Sequence, residues 1–309
     1  MSNAIGLSSL KSRMDMKSIL SGDFPASIVA FLFFIIGTFS SDLLQLLSAP
    51  FLAIGFIFPG MAHGSLDLHV MNRCADRRIA NRTLLIAYIV CVLSVILLWS
   101  FSPRLIFLLF LLNSAYHFGE TDLRAVQVQG RLRNLVYGVV VLTILFVTHL
   151  EETAGYFLSF GIKMPSADPF TLTLIGLLVA GLLIASSLVY LRNNRLLDVI
   201  IVLAIGSQLP LLLAFGIYYI LVHSRSAWKD LSTELALDDR SMLRLATPFT
   251  LAGCLLLVAV YLVFRTYSGL FSDPLALTVA GLAAITLPHT ISMSIFYRHF
   301  SHTKPSYKA

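Results

Sequence analysis

Apolar residues follow one another along this chain in long runs, without the alternation typical of a half-buried strand. Most of the runs approach the roughly 20 residues that an α-helix needs to cross the hydrocarbon of a bilayer. They are rich in Leu, Ile and Phe, and so they predict helices rather than a barrel. The approximate limits of the runs are 26–46, 48–64, 83–101, 104–119, 134–150, 171–191, 198–222, 246–265 and 275–297.

The connections between the runs are too short to hold a soluble domain. The longest of them lie near 120–133, 151–170 and 223–245. We therefore predict an all-α fold in which residues 26–297 form one transmembrane catalytic domain. A cytoplasmic segment, 1–25, is expected to precede this domain, and a cytoplasmic tail, 298–309, is expected to follow it.

Composition agrees with a membrane protein. The chain is 57% hydrophobic and 12% charged, whereas soluble domains carry roughly 25% charged residues. Its three cysteines are scattered without a CxxC pair, so they indicate neither a disulfide framework nor a thiolate zinc site. The net charge of +6 comes from short loops rather than one basic patch. We therefore expect membrane lipids, and no nucleic acid, as partners.

The distribution of Lys and Arg predicts an orientation, because positive residues are retained on the cytoplasmic side. The pattern is consistent only if 198–222 does not cross as one helix. The turn-like sequence Gly206–Pro210 allows this, since proline lacks a backbone donor and breaks a helix. We therefore predict about eight crossings of the inner (plasma) membrane, one broken or re-entrant segment near 198–222, and two cytoplasmic termini. All but three of the 22 Lys and Arg residues then lie inside, the exceptions being Arg104, Lys163 and Arg265.

Four histidines lie within or at the edge of the apolar runs, where an ionisable group is costly and therefore a functional candidate. The predicted topology allows all four to reach one layer in the cytoplasmic half of the membrane. Imidazoles that converge without thiolates suit Zn, Cu, Fe or Ni. The alternative is that each imidazole only hydrogen-bonds a neighbouring helix. The candidate metal ligands are His63, His117, His223 and His289.

Three carboxylates are placed to orient these imidazoles. Asp67 follows His63 by four residues and Glu120 follows His117 by three, so each pair shares a helix face if the helix continues through it. Asp122 lies close by in sequence. A metal-binding imidazole usually donates its second N–H to a carboxylate or carbonyl, which fixes its tautomer. We expect these carboxylates to play that part.

Blocks around the four histidines resemble the signature blocks of the Brp/Blh family, which are bacterial and archaeal membrane β-carotene 15,15′-dioxygenases. The resemblance spans about residues 26–300, and its first two blocks are the most specific. The blocks are Gly60-Met61-Ala62-His63-Gly64-Ser65-Leu66-Asp67, Tyr116-His117-Phe118-Gly119-Glu120-Thr121-Asp122, Tyr218-Tyr219-Ile220-Leu221-Val222-His223-Ser224 and Leu287-Pro288-His289.

The resemblance implies an Fe(2+) enzyme that splits the central double bond of β-carotene with O2 to give retinal. It implies a carotenoid substrate taken from the bilayer and suggests a rhodopsin as the downstream retinal acceptor. The family's ligand histidines map onto His63, His117 and His223. A further histidine commonly follows four residues later on the same helix face, but here that position is Ala227. Either His289 completes the site, or three histidines hold the iron, or the activity is lost or altered.

A polyene would dissolve in the bilayer and enter sideways between helices. Aromatic side chains of the signature blocks are candidates to line its path, although ordinary packing or an interfacial belt would equally explain them. These candidate substrate-lining residues are Tyr116, Phe118, Tyr218 and Tyr219.

Three other functions remain open from the sequence. One is a zinc-dependent intramembrane lipid hydrolase, in which Asp67 or Ser65 assists a metal-bound water. Another is a transporter with a site at the broken segment, and the third is a non-catalytic membrane paralogue. The identity of the metal and the reaction products separate these from an oxygenase.

Overall fold

The computed structural model describes residues 25–74, 81–124, 126, 128, 130–164, 194–264 and 274–301. Every regular element in these ranges is helical, which confirms the predicted all-α class. Two π-helical segments interrupt the α-helices: the first π turn is Phe56–Met61 and the second π turn is Tyr218–Ser224. The α-helices are α1 Pro25–Phe39, α2 Ser41–Gly55, α3 Ala62–Gly64, α4 Asp67–Cys74, α5 Asn81–Phe101, α6 Pro103–Arg124, α7 Arg131–Val147, α8 Leu150–Ser159, α9 Asn194–Gly206, α10 Leu211–Ile217, α11 Arg225–Leu235, α12 Asp239–Phe264 and α13 Pro274–Ser301.

Five helical stretches of the described chain are long and apolar enough to cross a membrane, or six if α7 and α8, bent by 103°, count as one span. Large apolar side chains cover the outside of these helices; Leu93, Leu97 and Leu255, for example, are each more than half exposed. So much exposed apolar surface indicates contact with lipid rather than water. The predicted span at 171–191 lies outside the described residues, as do most of the two predicted cytoplasmic ends. The count of eight crossings stays a prediction.

In the described part of the chain, the first helix ends and the second begins at Ser40, earlier than the hydrophobic runs predicted. The Ser40 hydroxyl accepts the backbone N–H of Leu43 at 3.2 Å, and Asp42 sits in the first turn of α2. Both features stabilise a helix start, since they satisfy an orphan N–H and complement the helix dipole. The run 26–46 is therefore two helices, and α2 leads directly into the region of His63.

The predicted break near 198–222 is present. Helix α9 ends at Gly206, and α10 begins after Pro210. Helix α9 packs against both α10 and the second π turn, so the second arm returns alongside the first as a hairpin. The predicted run ended at residue 222. In the structure this arm continues beyond that residue, as one helical stretch over Leu211–Leu235. Which side of the membrane it reaches stays a prediction.

Glycines allow α6 and α7 to pack with their backbones in close approach. A Cβ atom on Gly119 would lie 1.9 Å from the carbonyl oxygen of Asn134, and one on Gly138 would lie 1.7 Å from that of Ala115. No larger residue fits at either position without moving a backbone, as in other small-residue interfaces between membrane helices. This packing fixes the stretch of α6 that carries His117.

Arg124 links the C-terminal parts of α6, α11 and α13. At the end of α6, its guanidinium lies 3.3 Å from the Glu234 carboxylate and 3.7 Å from that of Asp230, both on α11. It also donates to the backbone oxygen of Tyr297 on α13 at 3.3 Å and lies over the ring of that tyrosine. Helices α6 and α13 carry two of the candidate histidines, and α11 directly follows a third.

Candidate metal centre

The two π turns face each other and place His63 and His223. His63 follows the first π turn by two residues, and His223 lies within the second. A Cβ atom on Gly60, in the first π turn, would lie 2.7 Å from the Tyr219 hydroxyl in the second, so a larger residue here would displace the Tyr219 side chain. Pro59 provides no backbone N–H, which favours a local departure from α-helical bonding. Such π turns occur frequently at functional sites.

Three of the candidate histidines meet in the interior. One ring nitrogen each from His63, His117 and His223 lies within 4.8 Å of the others, and the three residues are at most 2% exposed. Atoms spaced this closely can bind one ion after a small adjustment of the side chains. The structure thus brings together residues from α3, α6 and the second π turn, which are far apart in sequence.

His289 stands beside this group of three, although outside the set of mutually close ligand atoms. The centroid of its ring lies 4.9 Å from that of His63 and 4.8 Å from that of His117. The His223 ring is in turn 4.9 Å from His117 and 5.8 Å from His63. The four imidazoles therefore form a closed cycle of neighbours. The structure thus brings the four candidate histidines together.

Asp67 holds His289, an imidazole from another helix. Its Oδ1 lies 2.8 Å from Nδ1 of His289, and its Oδ2 accepts the Tyr88 hydroxyl at 3.1 Å. Tyr88 was not foreseen, since it reaches the site from another helix.

Asp122 faces His223, whose Nδ1 lies 3.4 Å from its Oδ1. The two atoms lack the geometry of a hydrogen bond, but they are close enough for electrostatic attraction. Hydroxyls hold the other carboxylate oxygen, since Tyr218 donates at 2.6 Å and Tyr137 at 3.1 Å. Asp122 thus has the surroundings expected of a carboxylate that orients an imidazole.

Glu120 does not serve His117 in the way the three-residue spacing suggested. Its carboxylate accepts the hydroxyl of Ser294 at 2.6 Å and that of Tyr116 at 3.1 Å. Glu120 therefore joins α6 to α13 and makes no hydrogen bond to His117, whose ring nitrogens have no partner in the described part of the chain.

The four candidate aromatic residues fall into two pairs. Phe118 and Tyr219 contact an imidazole directly, with ring centroids 4.6 and 5.9 Å from that of His223. Tyr218 is fully buried and holds Asp122, while Tyr116 holds Glu120. Only the first pair offers an apolar ring face at the histidines.

Several imidazole nitrogens are buried without a hydrogen-bond partner in the described part of the chain. They are both nitrogens of His117, Nδ1 of His223 and Nε2 of His289. Unpaired buried polar atoms are destabilising and therefore rare, and a cation would bind one nitrogen of each ring. Because Asp67 holds the Nδ1–H of His289, the Nε2 lone pair of that ring is free to bind. The all-imidazole donor set fits a transition metal such as iron or zinc.

Another buried histidine serves as a contrast. His149 has both ring nitrogens occupied by backbone carbonyls, with Nδ1 2.6 Å from the oxygen of Leu145 and Nε2 2.7 Å from that of Leu209. This arrangement closes the turn between α9 and α10. It shows the packing role that a membrane histidine takes when no metal is needed.

The comparisons with known proteins agree with the geometry. The family model described as "Beta-carotene 15,15'-dioxygenase" matches residues 54–297, a range that includes all four histidines. A protein of that name from Uncultured marine bacterium 66A03 is 25% identical over 259 residues, or 80% of this chain and 94% of the relative. No solved structure matches the chain. The chain thus belongs to the beta-carotene 15,15′-dioxygenase family.

Proposed function

We propose that this chain uses iron and O2 to split the central double bond of β-carotene, or of a related carotenoid, to give retinal. The observation that carries the proposal is the closed cycle of four buried imidazoles inside the range that matches the family. The named relative is a beta-carotene 15,15′-dioxygenase. Iron, when bound, would supply the redox chemistry that allows O2 to react with a carbon–carbon double bond.

The carboxylates hold the imidazoles ready for the metal. Asp67 fixes the tautomer of His289 by accepting its Nδ1–H at 2.8 Å. Asp122 faces Nδ1 of His223, and the Tyr218 hydroxyl prevents this carboxylate from turning away. Fixed imidazoles bind a metal more tightly because less side-chain freedom is lost on binding.

His289 is proposed as the fourth ligand. It would replace the histidine that the family commonly has at the position of Ala227. Its Nε2 is buried without a partner, and its ring neighbours those of His63 and His117. Pro288, directly before it, removes one backbone donor from α13 and favours a local kink. His63, His117 and His223 would supply the remaining ligands.

The substrate would meet the site on its aromatic side. Phe118 and Tyr219 lie against His223, so a conjugated chain packed on their rings would be held beside the imidazoles. Burial of the histidines keeps bulk water away from the reaction. Retinal leaving this site would enter the bilayer, where a rhodopsin could take it up.

Expression in bacteria that accumulate β-carotene tests the function. The wild-type chain is expected to bleach the cells and yield retinal, whereas His117→Ala, which deletes one proposed ligand, should do neither. Purified protein should contain iron and consume O2 with the carotenoid. Bound zinc together with lipid hydrolysis would overturn the proposal, and bound iron without bleaching would point to another carotenoid substrate.

The fourth ligand is tested separately by iron content per folded protein. His289→Ala should remove iron as completely as His117→Ala does, because each change deletes one ligand. Ala227→His in the His289→Ala background should restore binding if the cavity accepts the more usual family arrangement. Full iron content in His289→Ala would mean that three histidines are sufficient.

A further inference from the structure

An apolar crevice lies between α5, α12 and α13. The enclosed space is small; about 480 Å³ is free of protein atoms when the open space at the mouth of the crevice is included. Aliphatic and aromatic side chains and glycines form the whole lining, including Val92 and Trp99 on α5, Gly253 and Leu257 on α12, and Gly281 on α13. The crevice is narrow, and the indole N–H of Trp99 is the one polar side-chain group among its lining residues.

Each of the three helices that line the crevice carries a lining residue close to the candidate metal centre. On α5, Val92 lies one turn beyond Tyr88, which donates to Asp67. On α13, the lining residue Ile285 lies one turn before His289. On α12, a Cβ atom on Gly253 would lie 2.4 Å from the terminal methyl of Met61, which precedes His63 by two residues. The inner end of the crevice therefore adjoins the histidines.

The crevice has the shape of a slot along α13. Its lining on that helix extends from Ile285, near His289, to Leu277. Eight residues of α-helix correspond to about 12 Å along the helix axis. The slot therefore points away from the metal centre, and it is long enough to hold several carbon–carbon bonds of an extended ligand.

We propose that this slot receives one arm of the carotenoid and thereby places the central double bond at the imidazoles. The proposal rests on the function proposed above. It commits to an apolar polyene because a lipid headgroup, with its several polar groups, would be buried here with at most the indole N–H of Trp99 as a partner. A conjugated chain is extended and carries no polar group along its length, so it fits both the elongated shape and the apolar lining of the slot.

Helix α12 is the wall that can move to admit the arm. Only 11% of its membrane-spanning window is buried, compared with 56% for α13. The Leu257 side chain of α12 fills the slot against Gly281, where a Cβ atom would lie 2.3 Å from its Cδ2. Rotation of Leu257 and a small shift of the lightly packed α12 would open the slot to the bilayer, since few buried contacts oppose such a movement.

Tryptophan fluorescence tests occupancy independently of turnover. The chain has two tryptophans. Trp99 lines the slot, whereas Trp228 lies outside its lining and donates a hydrogen bond to Asp239. With Trp228→Phe, β-carotene should quench the remaining Trp99 at concentrations near the KM. With Trp99→Phe, the remaining Trp228 should be quenched far less. Equal quenching of both tryptophans would overturn the proposal.

Changes in slot width give the second test. Gly281→Leu should raise the KM for β-carotene and the concentration for half-quenching by roughly 10–100-fold, the effect expected for one aliphatic group in an apolar site, with iron content unchanged. Leu257→Ala, which widens the slot, should measurably change the KM for β-carotene and the concentration for half-quenching. This variant tests the slot if Gly281→Leu does not fold. Leu255→Ala, on the lipid-facing side of α12 and 69% exposed, is the matched control and should change neither.

The two proposals can fail separately. Retinal formation with an unchanged KM in a folded Gly281→Leu variant, or in Leu257→Ala, would overturn the slot and leave the proposed function intact. Quenching of Trp99 that responds to slot width, without retinal from the iron-loaded wild type, would support the slot and overturn the proposed reaction.

Discussion

Replacement of Asp67 by Asn tests whether this carboxylate sets the metal affinity of the site. Asp67 is 2% exposed, lies 2.8 Å from Nδ1 of His289 and accepts the Tyr88 hydroxyl at 3.1 Å. Asparagine preserves the shape but has one acceptor oxygen and no negative charge, so it cannot satisfy both donors. The His289 ring should then lose its fixed tautomer and part of its basicity as a ligand.

The expected effect follows from how such outer partners act at other metal sites. Loss of a carboxylate behind a histidine ligand typically weakens metal affinity or activity roughly 10–100-fold, which corresponds to about 1.4–2.8 kcal/mol at about 1.4 kcal/mol per tenfold change. The dissociation constant for Fe(2+) should be measured by competition with a chelator under anaerobic conditions. His63→Ala, which deletes a proposed ligand, should lose more.

A matched control separates metal affinity from stability. Tyr88→Phe removes only the hydroxyl and keeps the charged partner of His289, so the dissociation constant should change less than in Asp67→Asn. The reasoning is refuted if Asp67→Asn lowers the melting temperature of the metal-free protein but leaves the iron affinity intact. Complete loss of activity with iron retained would instead indicate that Asp67 acts directly in the reaction, as the hydrolase interpretation requires.

Three further outcomes are expected. In a thermal unfolding assay, Gly138→Ala should lower the free energy of unfolding by on the order of 1–3 kcal/mol, because the added methyl group meets a backbone. Gly155→Ala, with open space around it, is the control and should leave the free energy of unfolding unchanged. Tyr218→Phe should weaken iron binding through Asp122 while the KM for β-carotene stays unchanged; a selective rise in KM would make Tyr218 a substrate contact. Reporter fusions after residue 235 and at the C-terminus should both report cytoplasm, and a periplasmic signal at 235 would contradict the predicted orientation.

Hydropathy predicted the fold well because lipid imposes one demand on every span. Backbone polar groups in hydrocarbon must bond within the segment, so long apolar runs could only be helices. The turn at Ser40 was missed because it interrupts apolar sequence, where only the capping signal of Ser40 and Asp42 marks it. The break at Gly206–Pro210 was found because glycine and proline act on the backbone itself.

The candidate site was predicted at the level of residues but not of their partners. Histidines in apolar runs are conspicuous because ionisable groups are costly in lipid, and the structure brings all four together. Spacing along a helix then paired each histidine with a nearby carboxylate. Asp67 instead binds His289, more than 200 residues away, because side chains from different helices meet only once the bundle is assembled. Whether the histidines bind iron stays a prediction.

The π turns have a consequence for how such a site can arise. A π turn contains one residue more than an α-helical turn, so each amounts to a single-residue insertion within a helix. One inserted residue rotates everything beyond it by about 100° relative to what precedes it. Deletion of a single residue early in Tyr218–Ser224 would therefore swing His223 out of the layer while the rest of the helix stayed apolar. By the same arithmetic, one codon gained in an ordinary lipid-facing helix is enough to turn a histidine inward.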